Sequence, residues 1–217
     1  MAFHSVPSFV RQLGPNLLWE MVGPDVESEK RIYLTFDDGP IPGPTEFVLE
    51  QLAKFSAKAT FFAVGDNVHK HPEIIRKVQE AGHAIGNHTH NHLQGWSTPN
   101  SAYYANIELA ETVLANQLPS LFQSARLFRP PYGQIGPRQS QDLISKGYKV
   151  VMWSILTADY DSKLSAAQCL QATYPHCKPG SIVVMHDSLK AFARLEKLLP
   201  ALLKVLSADG FSFHPLA

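Results

Sequence analysis

Two adjacent carboxylates, Asp37 and Asp38, follow the short apolar run Arg31-Ile32-Tyr33-Leu34 and precede Gly39-Pro40. The run favours a strand, and the prolines after it stop the strand from continuing. Two like charges side by side are costly unless something positive sits beside them. A metal ion, an arginine, or both would supply that charge. His88 and His92 stand four apart in Asn87-His88-Thr89-His90-Asn91-His92, so both imidazoles can address one centre. Neutral imidazole suits zinc, cobalt, nickel or iron. With one carboxylate, the pair leaves positions open for water, as a catalytic rather than a structural ion requires. A solvated His-rich loop is the plain alternative for that segment alone, and the neighbouring Asp pair weighs against it. His90, between the two, is left out of the set. Arg129 opens Arg129-Pro130-Pro131-Tyr132-Gly133. Its guanidinium can hold the second carboxylate, and the rigid loop behind it can aim a backbone N–H at a developing oxyanion. His186 ends the apolar run Ser181–Met185, which desolvates it and suits it to general acid work. Val184 shares its face and is expected to line the same cavity.

These groups need elements to position them. Apolar spacing predicts helices over Phe47–Phe55, Pro72–Ala81, Ser101–Leu118, Arg138–Lys146, Leu164–Tyr174 and Ala191–Leu206, the last kinked or broken at Pro200. Strands are expected at Arg31–Leu34, Lys58–Val64, His83–Asn87, Arg126–Phe128, Tyr148–Ser154, Ser181–Met185 and Phe211–Phe213. Strand and helix alternate about seven times, and continuous apolar strands mean a parallel sheet covered by helices. No Gly-x-Gly-x-x-Gly is present, which favours a closed or nearly closed barrel over a dinucleotide-binding sheet. Barrel active sites lie at the C-terminal strand ends. Asp37-Asp38, the His88–His92 segment, Arg129–Gly133, Thr157-Ala158-Asp159-Tyr160 and His186-Asp187-Ser188 all fall there. Trp96 and Tyr160 can offer aromatic faces to a ligand, whereas Trp153 reads as core. In the first 23 residues Val10, Leu13, Leu17, Leu18 and Met21 suggest a short amphipathic lid helix under the domain, interrupted at Gly14-Pro15.

The chain has 217 residues and a formal net charge of zero, with unclustered basic residues, which argues against a nucleic-acid partner. No segment approaches the ~18–20 apolar residues of a membrane span. Cys169 and Cys177 fit no zinc spacing and read as ordinary thiols. Asn87-His88-Thr89 matches a glycosylation acceptor at a buried rim, an accidental match. No export signal is visible, so the default location is the cytoplasm.

Together, and in this order, Thr35-Phe36-Asp37-Asp38-Gly39, His88-Thr89-His90-Asn91-His92, Arg129-Pro130-Pro131-Tyr132 and Val184-Met185-His186 resemble the motifs of the polysaccharide deacetylases, carbohydrate esterase family four. The resemblance runs from about Arg31 to Phe213 and implies a distorted (β/α) barrel of about seven parallel strands. It implies a division into an N-terminal extension, 1–29, packing on the barrel and a catalytic domain, 30–217. It implies Asp37 as the general base that activates water, and Asp38, His88 and His92 as ligands of a divalent metal, usually zinc, with cobalt or nickel as other occupants. Arg129 would orient Asp37. The Tyr132 N–H would stabilise the oxyanion, and His186 would protonate the leaving amine. Val184, Tyr160 and Pro131 are the expected substrate contacts. The implied reaction removes N-acetyl groups from N-acetylglucosamine-containing glycans, peptidoglycan- or chitin-like. An O-acetyl esterase of the xylan type, a small-amide hydrolase on the same fold, and a non-catalytic carbohydrate-binding relative are the alternatives. The fourth motif departs. It usually reads Asp-x-x-Asp-Trp, and here it is Leu156-Thr157-Ala158-Asp159-Tyr160. That leaves the acid partner of His186 open between Asp159 and Asp161. If neither reaches it, the pKa of His186 should be lowered and the pH optimum with it. Cell-wall glycans lie outside the cytoplasm, so the default location and the implied substrate pull apart.

Overall fold

The computed structural model describes residues 4–12, 14–118 and 126–216. Its strands are β1 (Arg31–Asp37), β2 (Thr60–Ala63), β3 (Ala84–Asn87), β4 (Arg126–Phe128), β5 (Tyr148–Val150), β6 (Ile155–Leu156), β7 (Ile182–His186) and β8 (Ser212–Phe213). Seven form one curled sheet in the order β5-β4-β3-β2-β1-β7-β6, with every ladder parallel, and β8 adds to the start of β1. This is the expected distorted barrel.

The helices preceding β1 are α1 (Ser8–Gln12) and α2 (Pro24–Ser28). Between and after the strands run α3 (Pro44–Lys54), α4 (Gly65–Lys70), α5 (Pro72–Glu80), α6 (Asn100–Gln117), α7 (Pro137–Ser145), α8 (Ala166–Thr173) and α9 (Leu189–Ala208). α4 was not expected from the sequence; it is a single short segment between β2 and α5. α9 runs unbroken past Pro200, because Leu195, Leu198, Leu199, Leu202 and Leu203 all bury completely against the barrel.

Strand β1 is buried on both sides, and its two faces differ. Ile32, Leu34 and Phe36 join the core under the helices. Tyr33 points the other way, into an interior cluster with Phe62, Leu127, Val151 and Ile182. Thr35 and Asp37 share Tyr33's face, so the period of two carries the lumen side from apolar at the bottom to polar at the rim.

Of the expected strand Tyr148–Ser154 only Tyr148–Val150 is a strand, β5; the chain pairs again beyond it as β6, at the opposite end of the sheet order. Between them two carbonyls turn to another partner: Arg129 donates to Val151 O and Met152 O, while Val151 N–H still reaches Phe128 O and Ser154 N–H reaches Ile182 O. The segment before α2 fills the resulting seam. Leu18 N–H donates to Val150 O, and Met152 N–H returns to Leu18 O. Met21 N–H donates to Gly180 O, Val6 N–H to Ser154 O, and Leu156 N–H to His4 O. Leu18 and Met21 pack on the interior cluster. The expected lid helix is therefore mostly an extended strap, with only α1 helical. Gly14-Pro15 prevents a longer helix, and the unpaired edges of β5 and β6 offer main-chain partners instead. Leu13 lies outside the described residues.

Leu18→Pro removes the N–H that reaches Val150 and should lower the unfolding free energy by about 3 kcal/mol in urea titration. Leu18→Ala keeps both main-chain bonds and should cost less, about 1–2 kcal/mol. Equal midpoints for wild type and the proline variant would show that the strap adds nothing to the barrel.

Candidate active site

Sheet register brings the chemistry-bearing residues to one level. Asp37 is level with Phe62 on β2 and with His186 on β7. Ala63 is level with Asn87, and Asn87 with Phe128. The residues that follow these strand ends, Asp38, His88 and Arg129, therefore emerge on one rim.

Arg129 is the largest fully buried side chain among the described residues. Its Nη1 donates to Asp37 Oδ1 at 2.8 Å and to Thr35 Oγ1 at 2.7 Å. Nη2 donates to Met152 O at 2.9 Å, and the guanidinium lies 4.1 Å from the centre of the Phe62 ring. Burial draws its pKa below the usual guanidinium value, and the Asp37 charge opposes that. A guanidinium with neither water nor partners would be prohibitively costly, so the pair stands only because the fork is met on several sides. Thr35, two residues before Asp37 on the same strand face, is the contributor that motif reading passes over.

The second carboxylate turns to the histidines. Asp38 Oδ1 lies 3.2 Å from His92 Nε2 and 4.0 Å from His88 Nε2. The three side chains can each present a ligand atom within 4.8 Å of the others. His88 Nδ1 sits 2.7 Å from Arg129 O. A carbonyl only accepts, so Nδ1 carries the proton and the lone pair of Nε2 faces Asp38. Burial pushes the His88 pKa down to about 4, against the pull of Asp37, which keeps the ring neutral. Burial works against charge on Asp38, yet the hydrogen bond from His92 and the charge of His186 hold it well below the usual carboxylate range. A neutral buried imidazole, a second imidazole and an ionised carboxylate are the donor set that a zinc-like ion takes, so these residues fit such an ion. His90, left out of the set by sequence, is also outside this cluster.

Across the cavity, His186 has its acid. Nδ1 lies 2.7 Å from Asp159 Oδ1, and the His186 backbone N–H donates to Asp159 Oδ2 at 2.8 Å. Asp159 is fully buried, whereas Asp161 turns away and caps Lys163 N–H. Burial opposes protonation of His186, but the Asp159 carboxylate outweighs it and pushes the pKa up to about 9. The lowered pKa expected for an unpartnered His186 therefore does not arise.

A model of the polysaccharide deacetylase family matches residues 25–151. The chain belongs to the polysaccharide deacetylase family. It is 31% identical over 180 residues to a peptidoglycan-N-acetylglucosamine deacetylase of Bacillus cereus, covering 81% of this chain and 64% of that relative. It is 32% identical over 206 residues to a chitooligosaccharide deacetylase of Azorhizobium caulinodans, covering 88% and 94%. Its fold superposes on the crystal structure of the Bc1960 peptidoglycan N-acetylglucosamine deacetylase, in complex with 4-naphthalen-1-yl-N-oxidanyl-benzamide, with a TM-score of 0.85 at 26% identity over 97% of this chain and 95% of that one.

In this deacetylase-family chain, Asp37, Asp38, His88, His92, Tyr132, Tyr160, Val184 and His186 all line one cavity of about 390 Å³. Its volume is in the range of small-molecule sites. Pro131 does not line it; Pro130 does, and Pro131 is buried in the turn behind. Trp153 is half-buried and lines the cavity, so it is not purely core, because the loop between β5 and β6 turns it to the rim. Trp96 is 71% exposed and outside the cavity. Leu156, which replaces the expected carboxylate, lines the wall. Asn87 is buried and its side chain donates to Ile107 O.

The loops of this rim are conformationally strained. Among the described non-glycine residues, seven have positive φ, and five of them, Asp38, Thr89, His92, Tyr132 and Ala158, belong to these loops. Such conformations cost about 1–3 kcal/mol each and persist only where the surroundings impose them. At Asp38 the imposing groups are visible. Asn67 Nδ2 donates to Asp38 O at 2.7 Å, and Gly39 N–H donates to Asp187 Oδ1 at 3.0 Å. Thr45 Oγ1 donates to the other Asp187 oxygen at 2.5 Å and accepts from Ile41 N–H. A Cβ at Gly39 would meet Asp187 Oδ2 at 2.0 Å, so only glycine fits. Asp187 is fully buried, and burial pushes its pKa up to about 7. Asp187 and Asn67 carry no sequence signal, because their roles come from tertiary approach alone.

Arg129→Met leaves Asp37 buried and unpaired and should destabilise the fold by about 3–5 kcal/mol. Adding Asp37→Asn to it should recover part of that loss. Additive losses in chemical denaturation would mean that the two side chains are not energetically coupled.

Proposed function

We propose that this protein is a metal-dependent hydrolase that removes N-acetyl groups from N-acetylglucosamine-containing glycans of the peptidoglycan or chitin type. The observation that supports it is the division of two adjacent carboxylates around one cavity: Asp37 on Arg129, Asp38 on two histidines, with His186 opposite. The family membership and the deacetylases named above point the same way.

Asp38, His88 and His92 would hold a divalent ion, most simply zinc, with cobalt or nickel as substitutes. Bound there, such an ion polarises the acetyl carbonyl and makes water more acidic. Asp37, fixed by Arg129, takes the proton of the water that attacks the amide carbon. The turn carrying Tyr132 directs a backbone N–H toward the oxygen on which charge develops. As the C–N bond breaks, His186 gives its Nε2 proton to the departing nitrogen, and Asp159 stabilises the imidazolium before that transfer. Acetate and a free amino sugar result. Val184, Tyr160 and Leu156 would bound the sugar, with Pro130 taking the place expected of Pro131.

Acetate release from chitin oligomers should stop on chelation and return with zinc, cobalt or nickel. Asp37→Asn should keep the metal, measured by atomic emission, yet lose about 10²–10⁴ in kcat. His88→Ala should lose the metal itself. Full activity in Asp37→Asn, or indifference to chelation, would refute the mechanism. Acetate released from acetylated xylan alone would assign an O-acetyl esterase, and none from any substrate by the metal-loaded protein would assign a binding role.

His186 must be protonated to act, so kcat/KM should fall as pH rises through its pKa, which lies above the ordinary histidine value. Asp159→Asn removes the charge that raises it, leaving burial to lower it. The alkaline limb of the pH–rate profile should then move to lower pH by a unit or more. A limb unmoved in Asp159→Asn would show that another group sets it.

A further inference from the structure

Among the residues lining the cavity, one charged side chain is used by neither the chemistry nor the family motifs. Lys190 lines its edge, beyond Ser188, on the first turn of α9. Its Nζ lies 5.9 Å from the centre of the Tyr160 ring, and that ring packs edge-on against His186 with centroids 5.2 Å apart. The backbone is tied to the same machinery. Arg194 donates through Nε to Asp159 O and through Nη2 to Lys190 O. Asp159 in turn holds His186. The backbone of Lys190 is therefore tied to the group opposite Asp37, and its exposed side chain reaches along the cavity edge.

Its charge has no carboxylate partner among the described residues. The acids of the cavity are already matched, Asp37 by Arg129 and Asp38 by the two histidines. The wall between is apolar and aromatic, with Leu156, Val184 and Tyr160. A sugar seated with its acetamido group between Asp37 and His186 would place a neighbouring unit of the glycan beside Lys190. A neutral glycan would leave this exposed ammonium to water, whereas a carboxylate there would gain an ion pair with it.

We propose that Lys190 is a specificity-determining residue that selects glycans bearing a carboxylate next to the N-acetylated sugar. The proposal rests on the deacetylase reading above and narrows it from either glycan type toward the acidic one.

The test compares four glycans of equal length. One is a neutral N-acetylglucosamine oligomer. The second alternates N-acetylglucosamine with its 3-O-lactyl ether and lacks peptide. The third is the second with the lactyl carboxylate amidated, and the fourth is the second with stem peptides attached. Wild type should show a lower KM for the lactyl glycan than for its amide. Lys190→Gln should shrink that KM ratio about fivefold, the scale of one exposed ion pair, and Lys190→Glu should invert it, with kcat changing less than KM. Added salt should weaken the wild-type preference. A preference seen without peptide assigns the charge to the sugar; one seen only with stem peptides assigns it to the peptide, and both support a carboxylate contact at Lys190. A ratio identical in wild type and Lys190→Gln overturns the proposal.

Calorimetric binding of the same four glycans to chelated protein, in which no turnover runs, separates the two readings. Lys190-dependent preference in binding without acetate release by the metal-loaded enzyme would retain Lys190 and refute the deacetylase. Acetate release with no Lys190-dependent preference would do the reverse.

Discussion

A guanidinium shut away from water dictates much of this molecule. Arg129 sits at the upper end of the barrel lumen, where solvent cannot satisfy its donors, and each donor has to find an oxygen in the protein. Asp37 and Thr35 supply two on β1, and the carbonyls of Val151 and Met152 supply others. Supplying them takes those carbonyls out of the sheet. β5 ends at Val150 and β6 pairs at the opposite end of the sheet order, the barrel opens at a seam, and the strap before α2 has edges to pair with. The same demand fixes the fate of the two acids. With Asp37 claimed by Arg129, Asp38 is left to the histidines, and the backbone bends through positive φ to let neighbours in sequence face different partners.

The histidines show how the same burial gives opposite outcomes. His88 is buried and His186 largely so, which disfavours charge on each. His88 leans on a main-chain carbonyl, which orients the ring without stabilising its cation strongly, and it stays neutral. His186 leans on a carboxylate, and it holds its proton well past neutrality. One ring suits a Lewis acid and the other a leaving group, and the difference lies in the atom behind each ring rather than in the ring's own position.

Much of this was legible in the sequence because parallel strands announce themselves as apolar runs and their C-terminal ends as breaks. Asp37, Asp38, His88, Arg129 and His186 each follow or end such a run, and in-register strands bring them to one level. What was not legible depends on approach between distant segments. Tyr148–Ser154 reads as one strand from its aromatic and β-branched residues, and its early end at Val150 goes with the carbonyls of Val151 and Met152 turning to Arg129. Asp159 could not be preferred over Asp161 because choosing between acids two apart needs the path of the loop, including the positive φ at Ala158. The strap, with its mixed apolar spacing, looked helical because the open edges that capture it belong to residues more than a hundred positions away.

That strap also has a bearing on the order of assembly. Residues 4–22 leave the ribosome long before Val150, Ser154 and Gly180, the groups to which they bond, have been made. Local bonds such as Arg11 to Glu20 and Trp19 to Gly14 O are on offer in the interval, but the main-chain partners beside β5 and β6 are not. The strap therefore docks only after those partners have been made, and it docks across the gap between β5 and β6. The nascent barrel can curl, seat Arg129 and bring the rim together while still unlatched, and closing the latch then records that the later two-thirds of the chain have folded.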